Sequence, residues 1–313
     1  MDLLIWSGIF ILSLAVLVKA SDWFVEGAEK IGLALGIPSF IIGVTIVALG
    51  TSLPELASSI SAVLAGSSEI VAGNAIGSNI TNILLVMGLV ALVSKKKIVI
   101  ERNLMDVDIP MLVASSLILW FLIADLKLTI IDAVILLTAL GIFLAYTFEK
   151  PDNELEEELT DLPERGKIEW KTVLMVLGSG VLIYFGANYT VSAIQEISTL
   201  LGIGTGVIAL SLVALGTSLP EVLVSVSAAR KGNTGIAFGN VIGSNIFNTF
   251  AVMSIPRFFG EVIIPEDITV FSLPMMIGVT LLFTIMCLSK RISRFEGMIL
   301  ILFYVIFLVG LFS

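Results

Sequence analysis

Two glutamates, Glu55 and Glu221, stand near the middle of long apolar runs that carry no lysine, arginine or histidine of their own. Each closes the same nine-residue block, Val-Ala-Leu-Gly-Thr-Ser-Leu-Pro-Glu, at 47–55 and again at 213–221. A charged side chain at the centre of a bilayer costs at least ~2.5 kcal/mol on insertion scales. Two facing carboxylates also repel one another at low dielectric. Something must neutralise them, and the candidates are metal cations or protons. The neighbouring residues favour cations. Thr51 and Glu55 are four apart and share one helical face, with Ser52 beside them. Pro54 has no N–H, so the Gly50 carbonyl loses its helical partner and the spacing predicts a kinked or opened turn. One turn thus offers a carboxylate, two hydroxyls and at least one carbonyl. Gly216, Thr217, Ser218, Pro220 and Glu221 offer the same set from the second copy.

A second repeated block adds oxygens. Residues 73–80 read Gly-Asn-Ala-Ile-Gly-Ser-Asn-Ile, and 239–246 differ only by Val for Ala. Ser78 and Asn82 lie four apart on one face, as do Ser244 and Asn248. For the hydroxyls, bonding back to the preceding turn is the competing role. The glycines at 73, 77, 239 and 243 read as small-xxx-small packing positions that let helices approach closely. Ca2+ takes 6–8 oxygen ligands, which two bidentate glutamates with hydroxyls and carbonyls would supply, and Na+ accepts the same donors. Zinc and copper are disfavoured, because the chain has no histidine and a single cysteine, Cys287. The missing histidine also removes Ser–His and zinc-dependent enzymes, and no pair of intramembrane aspartates suits an aspartyl protease. Asp132, at the outer end of the fifth predicted span, has no counterpart in the second half.

The elements that hold these residues are membrane spans. Of 313 residues, 57% are hydrophobic and 14% charged, and the mean hydropathy is +1.08. That leaves too little polar surface for a soluble globule of this length. The apolar runs predict ten helices, at 3–30, 38–64, 70–93, 109–124, 128–148, 170–195, 204–229, 236–256, 268–289 and 294–312. The first lacks a basic leader region and a cleavage site, so it reads as a span and not a signal peptide. Its amphipathic second half is expected to tilt or bend along the inner interface. Fourteen of the seventeen basic residues fall in alternate connections. The expected topology therefore places both termini outside the cytoplasm and the 149–169 connection inside. Nine acids sit in that connection. It lacks the glycine turn and alternating oxygens of a Ca2+ loop, and reads as a solvated linker.

Both repeated blocks recur at one offset of 166 residues, and Leu35-Gly36-Ile37 recurs as Leu201-Gly202-Ile203 in the same register. Each half then holds five spans. Five is odd, so the second copy enters the membrane from the opposite side. The fold class expected is an all-α membrane protein of ten transmembrane helices in two inverted five-helix repeats: 1–148, then the acidic linker 149–169, then 170–313. A midplane site between inverted copies favours alternating access over a channel pore.

At these blocks the chain resembles the cation/Ca2+ exchanger superfamily, specifically the prokaryotic sodium/calcium exchangers with two α-repeats. The resemblance covers essentially the whole chain. It implies a secondary antiporter exchanging Ca2+ for Na+ in a cell membrane, with four central pockets, one for Ca2+ and the others for Na+. It also implies that the first and sixth helices slide against the other eight. Carried over by position, the ligands fall on Thr51, Ser52, Glu55, Ser78 and Asn82, and on Thr217, Ser218, Glu221, Ser244 and Asn248. The carbonyls of Ala48 and Ala214 match Na+-binding carbonyls. Family members often carry aspartate where this chain has Asn248. The shorter Gly-Asn-X-X-Glu block of the H+/Ca2+ branch is not present, which favours Na+; exchange against H+ at the same two glutamates is the alternative. The partners implied are the transported ions and the lipid bilayer. No cofactor, nucleic acid or obligate protein partner is implied.

Overall fold

The computed structural model describes residues 2–94, 98–99, 107–148, 168–200 and 218–311. In chain order its helices are α1 (Asp2–Leu35), α2 (Ser39–Leu64), α3 (Glu69–Val93), α4 (Ile109–Leu122) and α5 (Ile130–Phe148), then α6 (Trp170–Leu200), α7 (Leu219–Lys231), α8 (Thr234–Phe258), α9 (Ile268–Cys287) and α10 (Arg294–Leu311). Among the described residues, eight of these are long and apolar enough to cross a membrane, and α4 is a shorter apolar helix. Helix α7 is the described end of the seventh predicted span. Residues 204–217 of that span lie outside the described residues, as does 149–167 of the acidic linker.

Helix α1 departs from expectation. It runs 34 residues without a break, beyond its predicted end at 30. Its amphipathic half is packed into the protein: Ser21, Phe24, Val25, Ala28 and Gly32 are buried there. Its apolar and small face lines that contact, while Glu26 and Lys30 on the other face stay exposed.

Local chemistry explains where the helices start and stop. Helix α2 ends at Gly66 and α7 at Gly232, both left-handed at φ 78° and 91°. A glycine accepts that conformation without a Cβ clash. The same two bonds close each end. Gly66 donates to the Val63 carbonyl and Ser67 to Ala62; Gly232 donates to Ala229 and Asn233 to Ala228. Helix α5 begins with a reciprocal cap in which Thr129 N–H donates to Asp132 Oδ2 at 2.8 Å and Asp132 N–H to Thr129 Oγ1 at 3.2 Å. Helix α10 begins the same way, with Ser293 and Glu296. Asp132 therefore does have a counterpart, Glu296. A two-residue difference in loop length hides it from a search at the motif offset.

Two short antiparallel sheets tie connections together. Strand β1 (Ile98–Val99) pairs with β4 (Arg291–Ile292), and β2 (Lys127–Leu128) with β3 (Val262–Ile263). Each joins a loop from the first part of the chain to one from the second. Leu126 and Lys290, the residues before β2 and β4, both adopt positive φ.

The central part of helix α8 is buried throughout, whereas in the corresponding windows of α1, α5, α6 and α10 only about a fifth of the residues are buried. It crosses α2 at bare backbone. A Cβ on Gly239 would lie 2.3 Å from the Phe40 carbonyl oxygen, and one on Gly243 2.4 Å from that of Val44. In lipid, where apolar burial drives little association, such close backbone approach is what holds helices together.

Candidate functional site

The site forms where α2, α3, α7 and α8 meet. Helix α2 carries Pro54, where the sequence predicts a kinked or opened turn, in its interior. It is helical through the proline, and its widened turn is a π-helical stretch at Gly43–Val47. In the second copy Ser218 is non-helical and Pro220 sits in the first turn of α7, a position where a missing N–H costs nothing. The two Pro-Glu segments are thus not in the same local state.

Helices α3 and α8 each carry one π-helical turn, at Asn82–Val86 and Asn248–Val252. The turns are 166 residues apart and open on the asparagines singled out from the sequence. Single π turns inside α-helices are frequent at functional sites, because they shift backbone groups out of register. Here each brings a buried amide to the start of the widened turn.

Ten of the twelve sequence-predicted positions are described, and all ten are buried: Ala48, Thr51, Ser52, Glu55, Ser78, Asn82, Ser218, Glu221, Ser244 and Asn248. Thr217 and Ala214 lie outside the described residues. Glu55 and Glu221 are fully buried neighbours. Contacts cross between the halves of the chain. Ser52 Oγ donates to Glu221 Oε1 at 3.3 Å. Thr51 Oγ1 donates to Asn240 Oδ1 at 3.2 Å and lies 3.4 Å from Ser244 Oγ.

More telling is what remains unmatched. Both carboxylate oxygens of Glu55, Oε2 of Glu221, Ser218 Oγ, and both amide atoms of Asn82 and Asn248 are buried without a hydrogen-bond partner. Buried polar groups are normally satisfied, and a buried charge is normally paired. The one ion pair among the described residues joins Glu26 to Lys30 on α1, so no described basic side chain compensates the two glutamates. A cluster of unmatched carboxylate, amide and hydroxyl oxygens suits hard cations.

Sequence reasoning missed two residues. Asn74 donates through Nδ2 to the Glu55 carbonyl at 3.1 Å and to Ser59 Oγ at 3.0 Å. Asn240 donates through Nδ2 to Ser225 Oγ at 2.9 Å. The signal was present: both asparagines belong to the repeated Gly-Asn pair, and each serine lies 15 residues earlier on the helix that carries the glutamate. Asn79 also donates across the halves, to Thr249 Oγ1 at 2.8 Å. Ile83 stands where a repeat of that contact would need a hydroxyl.

Comparison with known proteins adds the family. The model for sodium/calcium exchanger protein matches residues 5–149 and 171–313. The chain is 38% identical to the sodium/calcium exchanger MaX1 of Methanosarcina acetivorans over 97% of each chain. It is 34% identical to an uncharacterized membrane protein of Methanocaldococcus jannaschii over 99% of each. Its fold superposes on the sodium-calcium exchanger NCX_Mj soaked with Na+ and Sr2+ with a TM-score of 0.84, at 32% identity over 97% of each chain.

Proposed function

This chain belongs to the sodium/calcium exchanger protein family, and we propose that it exchanges Ca2+ for Na+ by alternating access at the buried oxygen cluster around Glu55 and Glu221. It is an integral membrane protein and an ion exchanger, not an enzyme. The observation that carries the reading is the pair of fully buried, neighbouring carboxylates with unmatched oxygens and no basic partner. One Ca2+ cancels both negative charges. Na+ needs more than one ion to do so. The two cargoes therefore compete for the same two carboxylates, and an empty site is the costly state. That competition is the physical basis of coupled exchange: the protein changes access with one cargo or the other bound, and not with bare charges in a low-dielectric interior.

Thr51, Ser52, Ser78, Asn82 and Ala48 would complete the shell from the first half, and Ser218, Ser244 and Asn248 from the second, with Thr217 and Ala214 in the same roles by repeat position. Two inverted halves, 1–148 and 170–313, fit the matched spacing of the π turns and of the Gly66 and Gly232 caps. They also fit the family match, which falls in two pieces. Inversion further accounts for the sheets. A two-fold that exchanges the halves turns β1–β4 into β3–β2, which puts one sheet on each side of the membrane. On this reading there are ten spans, both termini face outward, and the 149–169 linker is cytoplasmic.

Ca2+ uptake into proteoliposomes tests the function, with an outward Na+ gradient and an outward H+ gradient each imposed alone at clamped potential. Uptake driven by Na+ and not by H+ is expected. Uptake driven by H+ alone would overturn Na+ coupling and make Glu55 and Glu221 proton carriers.

A further inference from the structure

We propose that Asn240 is a positioning residue that turns the lone pairs of the Thr51 and Ser244 hydroxyls toward the cation. The proposal rests on the transport reading above and deepens it. A hydroxyl can ligate a cation only through its oxygen, so its single proton must be given to something else. Thr51 Oγ1 donates to Asn240 Oδ1 at 3.2 Å, with the Ala48 carbonyl and Ser244 Oγ farther off at 3.4 Å and the Glu221 carboxylate also beside it. Ser244 Oγ also donates to Asn240 Oδ1, at 3.4 Å. One amide oxygen therefore collects both protons. The two hydroxyl oxygens, 3.4 Å apart, then keep lone pairs free for a cation. The Ala48 carbonyl is also spared, because the proton it would otherwise accept is taken by the amide.

This requires the amide to present oxygen and not nitrogen to the hydroxyls, an assignment that must come from the bonding network. The repeat supplies it. Asn74, the residue matching Asn240 in the first block, directs Nδ2 at the Glu55 main-chain oxygen, a group that can only accept. Nitrogen must therefore face that side, where Ser59 also lies. Asn240 makes the equivalent contact, Nδ2 to Ser225 Oγ at 2.9 Å, across the same 15-residue separation. Its oxygen must then point into the site. Asn240 is fully buried, so no water competes for its atoms. Because it sits on α8 and Thr51 on α2, it also keys one half of the site to the other.

The test is a mutant cycle read as Ca2+ affinity, by isothermal titration of the purified full chain and as the KM of uptake. Asn240→Leu keeps the volume and removes the acceptor; the Ca2+ Kd should rise roughly three- to tenfold, the worth of about one hydrogen bond. In a Thr51→Val/Ser244→Ala background the same change should do nothing further, because no hydroxyl is left to orient. An equal loss in both backgrounds would mean that Asn240 only supports packing, and would overturn the proposal. Ser225→Ala gives a second route if the leucine variant does not fold. It frees the amide to turn over and should weaken Ca2+ binding in the same direction. A folded Ser225→Ala protein with unchanged affinity would also overturn the proposal. Glu221→Gln, run alongside, separates the two levels. If it abolishes uptake while the Asn240 cycle is additive, only the positioning role falls. If Glu221→Gln transports normally, the transport reading falls with it.

Discussion

At the scale of single residues, the site reduces to two charges and the oxygens around them. Glutamine has the shape of glutamate without its charge, so Glu221→Gln or Glu55→Gln removes half of the attraction for a divalent cation and relieves a buried repulsion. Each variant should lose Ca2+ uptake while its melting temperature in detergent holds or rises, since an unpaired buried charge is a cost to the fold. A variant that transports normally, or one that no longer folds, would contradict this assignment. Most of these residues were legible in the sequence for one reason. A nine-residue block repeated without change inside apolar helices has no packing explanation for its carboxylate. Asn74 and Asn240 were not legible as functional residues, although they sit in the same repeat. Their work lies in which atom of an amide faces which neighbour, and periodicity says nothing about that. Asp132 was misread for the opposite reason. Its role is a local helix cap, shared with Glu296, and the two-residue difference in loop length conceals the match.

At the scale of elements, the site depends on how closely α8 can lie against α2. A Cβ on Gly239 would come within 2.3 Å of the Phe40 oxygen, 2.9 Å of the Val44 nitrogen and 3.1 Å of the Gly43 Cα. All three are backbone atoms, so no side chain can turn aside to make room. Gly239→Ala should therefore push the helices apart, at a cost of about 1–3 kcal/mol, and lower the melting temperature. Gly141, on α5, has open space at the same position. Gly141→Ala should be neutral or mildly stabilising, as alanine is the better helix former. Equal melting temperatures for the two variants would show that the α2–α8 crossing is not tightly packed. The sequence marked Gly239 and Gly243 as packing positions by their spacing, and the backbone contacts agree. It did not mark the π-helical turn in α2, because a proline inside a helix identifies a lost hydrogen bond and not a widened turn elsewhere. Here the widened turn lies at Gly43–Val47, ahead of the proline. Helix α1 also runs past its predicted end, and its second half packs on α7, where Ser227 and Lys231 contact Asp22, the hydroxyl through Oδ1 and the ammonium through the main-chain oxygen.

At the scale of the whole molecule, the question is whether the two halves are inverted or merely repeated. The sheets make this testable. Lys127 opens β2 and Arg291 opens β4, each directly after a left-handed residue, Leu126 and Lys290. They are therefore near-equivalent positions of the two halves. Were the halves parallel, equivalent positions would face the same side of the membrane. In inverted halves they face opposite sides, and each strand pairs with a loop of the other half, as β2 does with β3 and β4 with β1. Both side chains are exposed, and Cys287, the one native cysteine, is buried. Lys127→Cys and Arg291→Cys can then be compared in a Cys287→Ser chain with a membrane-impermeant maleimide on sealed right-side-out vesicles. Lys127→Cys should label from outside, and Arg291→Cys only after permeabilisation. Labelling of both from one side would rule out inversion. Labelling with the sides exchanged would keep the inversion and turn the molecule over, placing the termini and the acidic linker on the faces opposite to those the basic residues indicate. An inversion would matter to exchange because it would present one pair of carboxylates to two related, oppositely directed approaches, with each half supplying the helices that close the path the other opens.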